Sequence, residues 1–134
     1  MIIKRNIDDY LISTSLNVRS ALQKLDETTM QILFIVDNKK KLHGVLTDGD
    51  IRRWLLSAKN PDLNTNLLEV INNKFTSRNI KTSPEDIERL FNGKIKTIPL
   101  VDDDQVLMAV AESKSLKIKI GKRLISNSEP SFII

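Results

Sequence analysis

The 134-residue sequence repeats one short pattern in its two halves. The run Phe34-Ile35-Val36-Asp37 aligns with Pro99-Leu100-Val101-Asp102, and Val45-Leu46-Thr47 aligns with Ala109-Val110-Ala111. Neither half alone is long enough to bury much apolar surface, so two such units are expected to stack their apolar faces. The repeat therefore predicts a single α/β (α+β) body built from two similar units.

The first unit has the pattern helix, strand, strand, helix. Four apolar residues recur at the spacing of one helical face: Val18, Ala21, Leu22 and Leu25. The unbroken apolar run 32–36 and the run 42–46 predict two strands joined by a polar turn. Thr47 is expected to begin the second helix.

The second unit follows a polar linker that begins near residue 61 and carries a short helix. Ser83 is predicted to cap the next helix, with a proline at the first helical position, and Gly93 to end it. This helix is expected to be about one turn shorter than its counterpart in the first unit. Strands are predicted at 98–101 and 106–111.

Composition excludes several classes of protein. The chain has no cysteine, which rules out a disulfide framework, a thiolate metal site and a cysteine nucleophile, and fits a cytoplasmic location. No apolar run approaches the roughly 18 residues of a membrane span, and the N-terminus lacks the pattern of a signal peptide. Although the net charge is +4, the basic residues are scattered among acids, so we expect neither nucleic acid nor a membrane as partner.

The stretch Gly44–Arg53 is the candidate ligand site, because a strand there runs directly into a helix. The first turn of a helix presents free N–H groups and positive potential, which suits an anion. The hydroxyl of Thr47 can donate to a phosphate oxygen, and Asp50 can accept from both hydroxyls of a ribose. Arg52 and Arg53 can neutralise phosphate charge. These groups together suit a nucleoside phosphate.

The same residues also have a purely structural interpretation. Thr47 and Asp50 have the spacing of a capping box, which helices use for stability alone. Asp48 lies in the same turn and is included in the candidate site. The pair Asp48 and Asp50 lacks the further oxygen ligands of a calcium loop, so no metal is expected. With His43 as the only histidine and no nucleophile elbow, we expect no catalytic residue and no bound cofactor.

The residues from about Ile7 to Leu116 resemble a CBS-domain pair, or Bateman module. The motifs that carry the resemblance are Phe-Ile-Val-Asp and Gly-Val-Leu-Thr-Asp-Gly-Asp-Ile-Arg-Arg. It implies two β-α-β-β-α repeats with pseudo-twofold symmetry, homodimerisation, and an adenosine nucleotide (AMP, ADP or ATP) bound between the repeats. The boundaries it suggests are 1–60 for the first repeat, 61–78 for the linker and 79–116 for the shortened second repeat.

The resemblance also implies roles for individual residues. Asp50 matches the ribose-binding acid and Thr47 the hydroxyl at the nucleotide, while Ser13 and Thr14 lie where the family lines the same cleft. The second repeat departs from the pattern, since Ala111 and Lys114 stand where Thr47 and Asp50 stand in the first. At most one nucleotide per chain is therefore expected.

The last residues, 117–134, carry a second resemblance, to the opening of sialic acid synthases. The matching runs are 118–125 and 129–134, the latter ending in Phe-Ile-Ile. It implies that the chain is a non-enzymatic regulatory fragment attached to a C-terminal synthase that condenses phosphoenolpyruvate with an N-acylated hexosamine, using a divalent metal. The alternatives are a non-binding dimerisation scaffold, or the CBS module of a sugar nucleotidyltransferase or sugar-phosphate isomerase.

Overall fold

A computed structural model describes residues 1–28 and 30–114 of the chain. Two short 3-10 helices, Asp8–Tyr10 and Leu67–Glu69, accompany the main elements. In chain order the strands and helices are β1 (Ile2–Lys4), β2 (Leu11–Ser13), α1 (Val18–Thr28), β3 (Ile32–Val36), β4 (Leu42–Thr47), α2 (Asp48–Ser57), β5 (Arg78–Asn79), α3 (Pro84–Glu88), β6 (Thr97–Val101) and β7 (Leu107–Glu112).

Two sheets of the same construction form the body of the protein. The first has the strand order β2-β3-β4 and the second β1-β7-β6-β5. In each sheet a parallel pair, β2 with β3 or β5 with β6, is connected through a helix, and an antiparallel hairpin follows. The mixed α/β fold predicted from the sequence is confirmed, and the repeated order of elements is confirmed as far as β7. The last helix implied for the second repeat lies outside the described residues.

The two hairpins share one register, which defines the equivalent residues of the repeats. Ile32 pairs with Thr47 in the first hairpin as Thr97 pairs with Glu112 in the second, and both hairpins have an irregularity before their last pair. The residue equivalent to Thr47 is therefore Glu112. The sequence alignment that placed Ala111 there is wrong by one position, and a one-residue slip moves a side chain to the other face of a strand.

The hairpin turns meet at a local twofold axis. The Leu42 N–H donates to the carbonyl oxygen of Gln105 at 3.0 Å, and the Leu107 N–H donates to that of Lys40 at 2.9 Å. Lys40 and Gln105 are equivalent residues, and both adopt left-handed backbone, with φ of 63° and 67°. Because donor and acceptor exchange roles between the repeats, the contact is reciprocal, as pseudo-twofold symmetry requires.

Each sheet is extended by the segment that precedes the other repeat in the chain. Strand β1 pairs with β7 of the second sheet, with Ile2 opposite Glu112. In the first sheet the linker takes the equivalent place, since Asn72 and Val45 exchange two backbone hydrogen bonds of 3.0 Å. Strand β1, which falls within the residues 1–60 assigned to the first repeat, is thus part of the second sheet.

The apolar core joins the two repeats into one body. One cluster of buried side chains packs inside the first repeat and another inside the second. The central cluster contains Tyr10, Phe34 and Val36 of the first repeat together with Val101 and Val110 of the second. Burial of apolar surface between the halves, as expected from the repeat, supplies the stacking contact.

The caps predicted from the sequence are present, but one helix end is not where we expected it. The Ser83 side chain accepts the Asp86 N–H, and α3 begins at the next residue, as predicted. Helix α3 ends at Glu88 and has 5 residues against 11 in α1, so it is shorter by more than the predicted single turn. Gly93 does not end it, since its backbone is not left-handed; instead, the Asn92 side chain accepts two N–H groups and closes the turn there.

Candidate functional site

A cleft of about 880 Å³ is lined by both sheets, by β1 and by the linker; we call it the inter-repeat cleft. Its size is that of a small-molecule site. Its apolar wall comprises Ile2, Met30, Ile32, Phe34, Val45, Phe75, Ile95 and Pro99. Its charged and hydroxyl-bearing lining residues are Lys4, Tyr10, Thr47, Asp48, Lys74, Thr76, Lys94, Lys96, Thr97 and Glu112.

Lysines outnumber acids among the residues that line the cleft. Lys4 pairs with Glu112, with 3.3 Å between Nζ and Oε1. Among the residues described, Lys74, Lys94 and Lys96 form no ion pair. A cleft with low-dielectric walls and excess positive charge concentrates anions.

Thr47 and Asp50 form a complete capping box at the start of α2. The Thr47 Oγ1 accepts the Asp50 N–H at 3.0 Å, and the Asp50 Oδ2 accepts the Thr47 N–H at 2.9 Å. The second carboxylate oxygen of Asp50 accepts from Arg53 at 2.6 Å. The structural interpretation of this spacing is confirmed. Both oxygens of Asp50 already have partners, and Asp50 is not among the residues that line the cleft.

The remaining residues of the predicted turn divide between the cleft and the outer surface. Thr47, Asp48 and Gly49 line the cleft. Arg52 and Arg53 lie outside its lining, with side chains 69% and 73% exposed, where Arg52 pairs with Asp48 and Arg53 with the capping acid. The basic side chains that line the cleft are therefore its lysines, and these two arginines are not among them.

Ser13 and Thr14 lie at the other end of β3 from Thr47. Ser13 is opposite Val36, whereas Thr47 is opposite Ile32 at the start of that strand. The length of β3 separates the two ends by about 13 Å. The Ser13 hydroxyl bonds to the hydroxyl of a neighbouring serine, and the Thr14 carbonyl accepts from a linker asparagine. The structure does not bring this pair to the inter-repeat cleft.

The cleft contains a buried polar cluster that sequence reasoning missed. The Tyr10 hydroxyl donates to the Glu112 carboxylate, and the two residues are 4% and 8% exposed. Burial raises the pKa of Tyr10 well above its ordinary value, and the hydrogen bond to Glu112 raises it further. The phenol therefore keeps its proton and serves as a donor. An alignment of the repeats that paired Glu112 with Thr47 would have identified Glu112 as a candidate site residue.

Gly44 has a packing role in the same stretch. A Cβ at this position would lie 2.8 Å from the Ile71 Cδ1 and 3.0 Å from the Asn72 carbonyl oxygen. The bare backbone therefore allows the linker to approach β4 closely. Through that contact Gly44 holds the linker residues that line the cleft.

Neither a metal-ligand cluster nor a membrane-spanning helix occurs among the described residues. Over that part of the chain, no group of three or more histidine, cysteine, aspartate or glutamate residues is placed to hold a metal ion. No helix within residues 1–28 and 30–114 is long and apolar enough to cross a membrane.

Comparison with known proteins places the fold. The sequence model of the CBS domain family matches residues 6–57. A solved CBS domain protein from Streptococcus pneumoniae superposes with a TM-score of 0.76 at 13% identity, covering 91% of this chain and 81% of that one. CbpB of Listeria monocytogenes, solved in complex with c-di-AMP, gives 0.70 at 17% identity, covering 85% and 87%.

A curated relative is similar over much of this chain. An arabinose 5-phosphate isomerase of Salmonella typhi is 30% identical over 99 residues, which make up 73% of this chain and 30% of the isomerase. This chain thus spans about a third of that relative's length. The segment that resembles sialic acid synthases lies outside the described residues, and similarity to the isomerase lends that resemblance no support.

Proposed function

Because residues 6–57 are a CBS domain and the chain has the fold of CBS-domain proteins, we propose that it is a regulatory module whose inter-repeat cleft binds an adenine nucleotide. The observation that carries this proposal is that three lysines without an ion pair among the described residues line a cleft that also has an apolar wall. Apolar walls suit a base, and ammonium groups suit phosphates. CbpB, which has a similar fold, was solved with c-di-AMP.

Phosphate recognition in this proposal depends on the lysines rather than on the end of helix α2. Asp48 and Asp50 already place negative charge in the first turn of that helix. This charge offsets the positive end of the helix dipole and weakens its attraction for a phosphate. Within residues 1–28 and 30–114, no acid lies within ion-pair distance of Lys74, Lys94 or Lys96 to offset their charge in this way. Thr47 adds a hydroxyl at the cleft wall.

Calorimetric titration of the 134-residue chain with AMP, ADP, ATP and c-di-AMP tests the proposal. We expect at least one of them to bind, with affinity that falls as salt rises. Loss of one charged contact in Lys74→Gln should weaken binding about tenfold or more. Lys59→Gln, at an exposed position outside the cleft, is the matched control and should bind like the wild type.

Absence of heat with all four nucleotides would contradict nucleotide sensing and favour the alternative, a non-binding dimerisation scaffold. An exposed apolar surface on α2 supports self-association in either case. Leu56 on that helix is 84% exposed and Leu55 is 38% exposed. Light scattering of the wild type and of Leu56→Glu compares the oligomeric states, and a dimer across this surface should dissociate in the variant.

The enzyme that the module serves is proposed to act in sugar metabolism, with one candidate from the comparisons and a second from the sequence resemblance alone. Similarity to an arabinose 5-phosphate isomerase favours a sugar-phosphate isomerase. The resemblance of residues 118–134 to sialic acid synthases favours a synthase. Assaying the full-length gene product for both activities, with and without the nucleotide, distinguishes them. A change in rate on nucleotide addition is expected, because regulation requires different affinities in two states of the enzyme.

A further inference from the structure

At the cleft wall, Glu112 provides a carboxylate where its equivalent in the first repeat, Thr47, provides a hydroxyl. We infer that Glu112 selects the ligand by accepting a hydrogen bond from an amino group on its base. This inference rests on the proposed nucleotide binding and adds to it the residue that reads the base.

The neighbours of Glu112 hold its carboxylate as an acceptor. Tyr10 donates to Oε2 from a buried position, and the Lys4 ammonium lies 3.3 Å from Oε1. A carboxylate offers about four lone-pair positions. The two contacts leave positions free, and Glu112 lines the cleft although its side chain is only 10% exposed. Only a ligand that donates a hydrogen bond complements such a group.

The surroundings of Glu112 also orient the ligand. Its cross-strand neighbours Ile2 and Thr97 line the cleft beside it, one on each adjoining strand. Phosphate is repelled by a carboxylate, so the phosphate end is expected to lie towards Lys74, which closely follows the residue that pairs with Val45 of the first sheet. The base is then expected to face Glu112. An amino substituent on that base, such as the 6-amino group of adenine, would donate to the carboxylate.

The pseudo-twofold axis relates two possible orientations of the ligand, and the difference between Glu112 and Thr47 favours one of them. Turning the ligand about the axis would place its base at Thr47 and its phosphate at Glu112. In that orientation Glu112 would face a phosphate instead of a hydrogen-bond donor, and the amino group would face a Thr47 hydroxyl that already accepts the Asp50 N–H. One nucleotide per cleft, held in one orientation, is therefore expected.

The test compares AMP with purine riboside 5′-monophosphate, which lacks only the 6-amino group, by calorimetric titration. A missing donor leaves the carboxylate without its partner, so AMP should bind at least about tenfold more tightly to the wild type. Glu112→Gln has a neutral and weaker acceptor, and the ratio should fall to about threefold or less. Glu27→Gln, an exposed change on α1, should keep the wild-type ratio.

The outcomes separate this inference from the proposal on which it rests. Equal binding of the two nucleotides to the wild type overturns the role of Glu112 and leaves nucleotide binding intact. Failure of both to bind overturns this inference, and it overturns nucleotide binding as well only if ADP, ATP and c-di-AMP also fail to bind. A wild-type ratio that persists in Glu112→Gln also overturns the inference, because another group would then read the amino position. If the variant does not fold, the wild-type ratio alone decides.

Discussion

Replacing Gly44 with alanine should separate the linker from β4. The added Cβ would lie 2.8 Å from the Ile71 Cδ1, which can rotate away, but also 3.0 Å from the Asn72 carbonyl oxygen. That oxygen accepts the Val45 N–H, and the Asn72 N–H donates to the Val45 carbonyl, so two hydrogen bonds hold the linker in place. Losing both bonds costs about 2 kcal/mol. The reduced entropy of the unfolded alanine variant offsets roughly 0.4–1 kcal/mol of this. A net loss of about 1–2 kcal/mol in the free energy of unfolding follows.

Urea unfolding followed by circular dichroism measures this loss, and Gly93→Ala is the matched control. A Cβ at Gly93 meets no atom within 4 Å, and its backbone is not left-handed. That variant should be as stable as the wild type or slightly more stable. Equal stability of the two alanine variants would refute the close-approach explanation. Since the displaced linker lines the cleft, Gly44→Ala should also weaken AMP binding.

Two further predictions concern single side chains. Asp50→Ala should lower the free energy of unfolding by about 1 kcal/mol more than Asp86→Ala, because only Asp50 returns a hydrogen bond to its capping residue; equal losses in urea unfolding would contradict this. The pKa of Asp37 is lowered from 3.8 to about 2, chiefly by its hydrogen bond with His43, so the stability it contributes is complete above about pH 4 and lost as the pH falls through 2. His43→Ala should raise that pKa towards 3.8, as carboxyl NMR titration would show, and an unchanged value would exclude His43 as the cause.

Features fixed by neighbours in the chain could be predicted from the sequence. The caps at Thr47 and Ser83 follow from side chains that reach backbone N–H groups three residues away. The hairpins follow from short apolar runs around polar turns. The repeat itself followed from matching runs, and its two copies have the same pairing pattern.

Features that depend on distant contacts could not be predicted. Ala111 looked like the equivalent of Thr47 by composition, whereas strand pairing assigns that place to Glu112. The cleft lysines come from β1, the linker and the segment before β6, and the pairing of β1 with β7 brings Lys4 to the cleft. Local spacing carries no information about the pairing of β1 with β7, because this pairing joins residues more than a hundred positions apart.

The most direct test is to map where AMP contacts the chain by NMR, using amide shifts of the isotopically labelled 134-residue protein. Binding in the inter-repeat cleft predicts shifts concentrated at Gly49, Lys74, Lys96 and Glu112, with smaller changes at Ser13 on the far end of β3. Saturable shifts confined to residues away from the cleft, or none at all at millimolar AMP, would contradict the account.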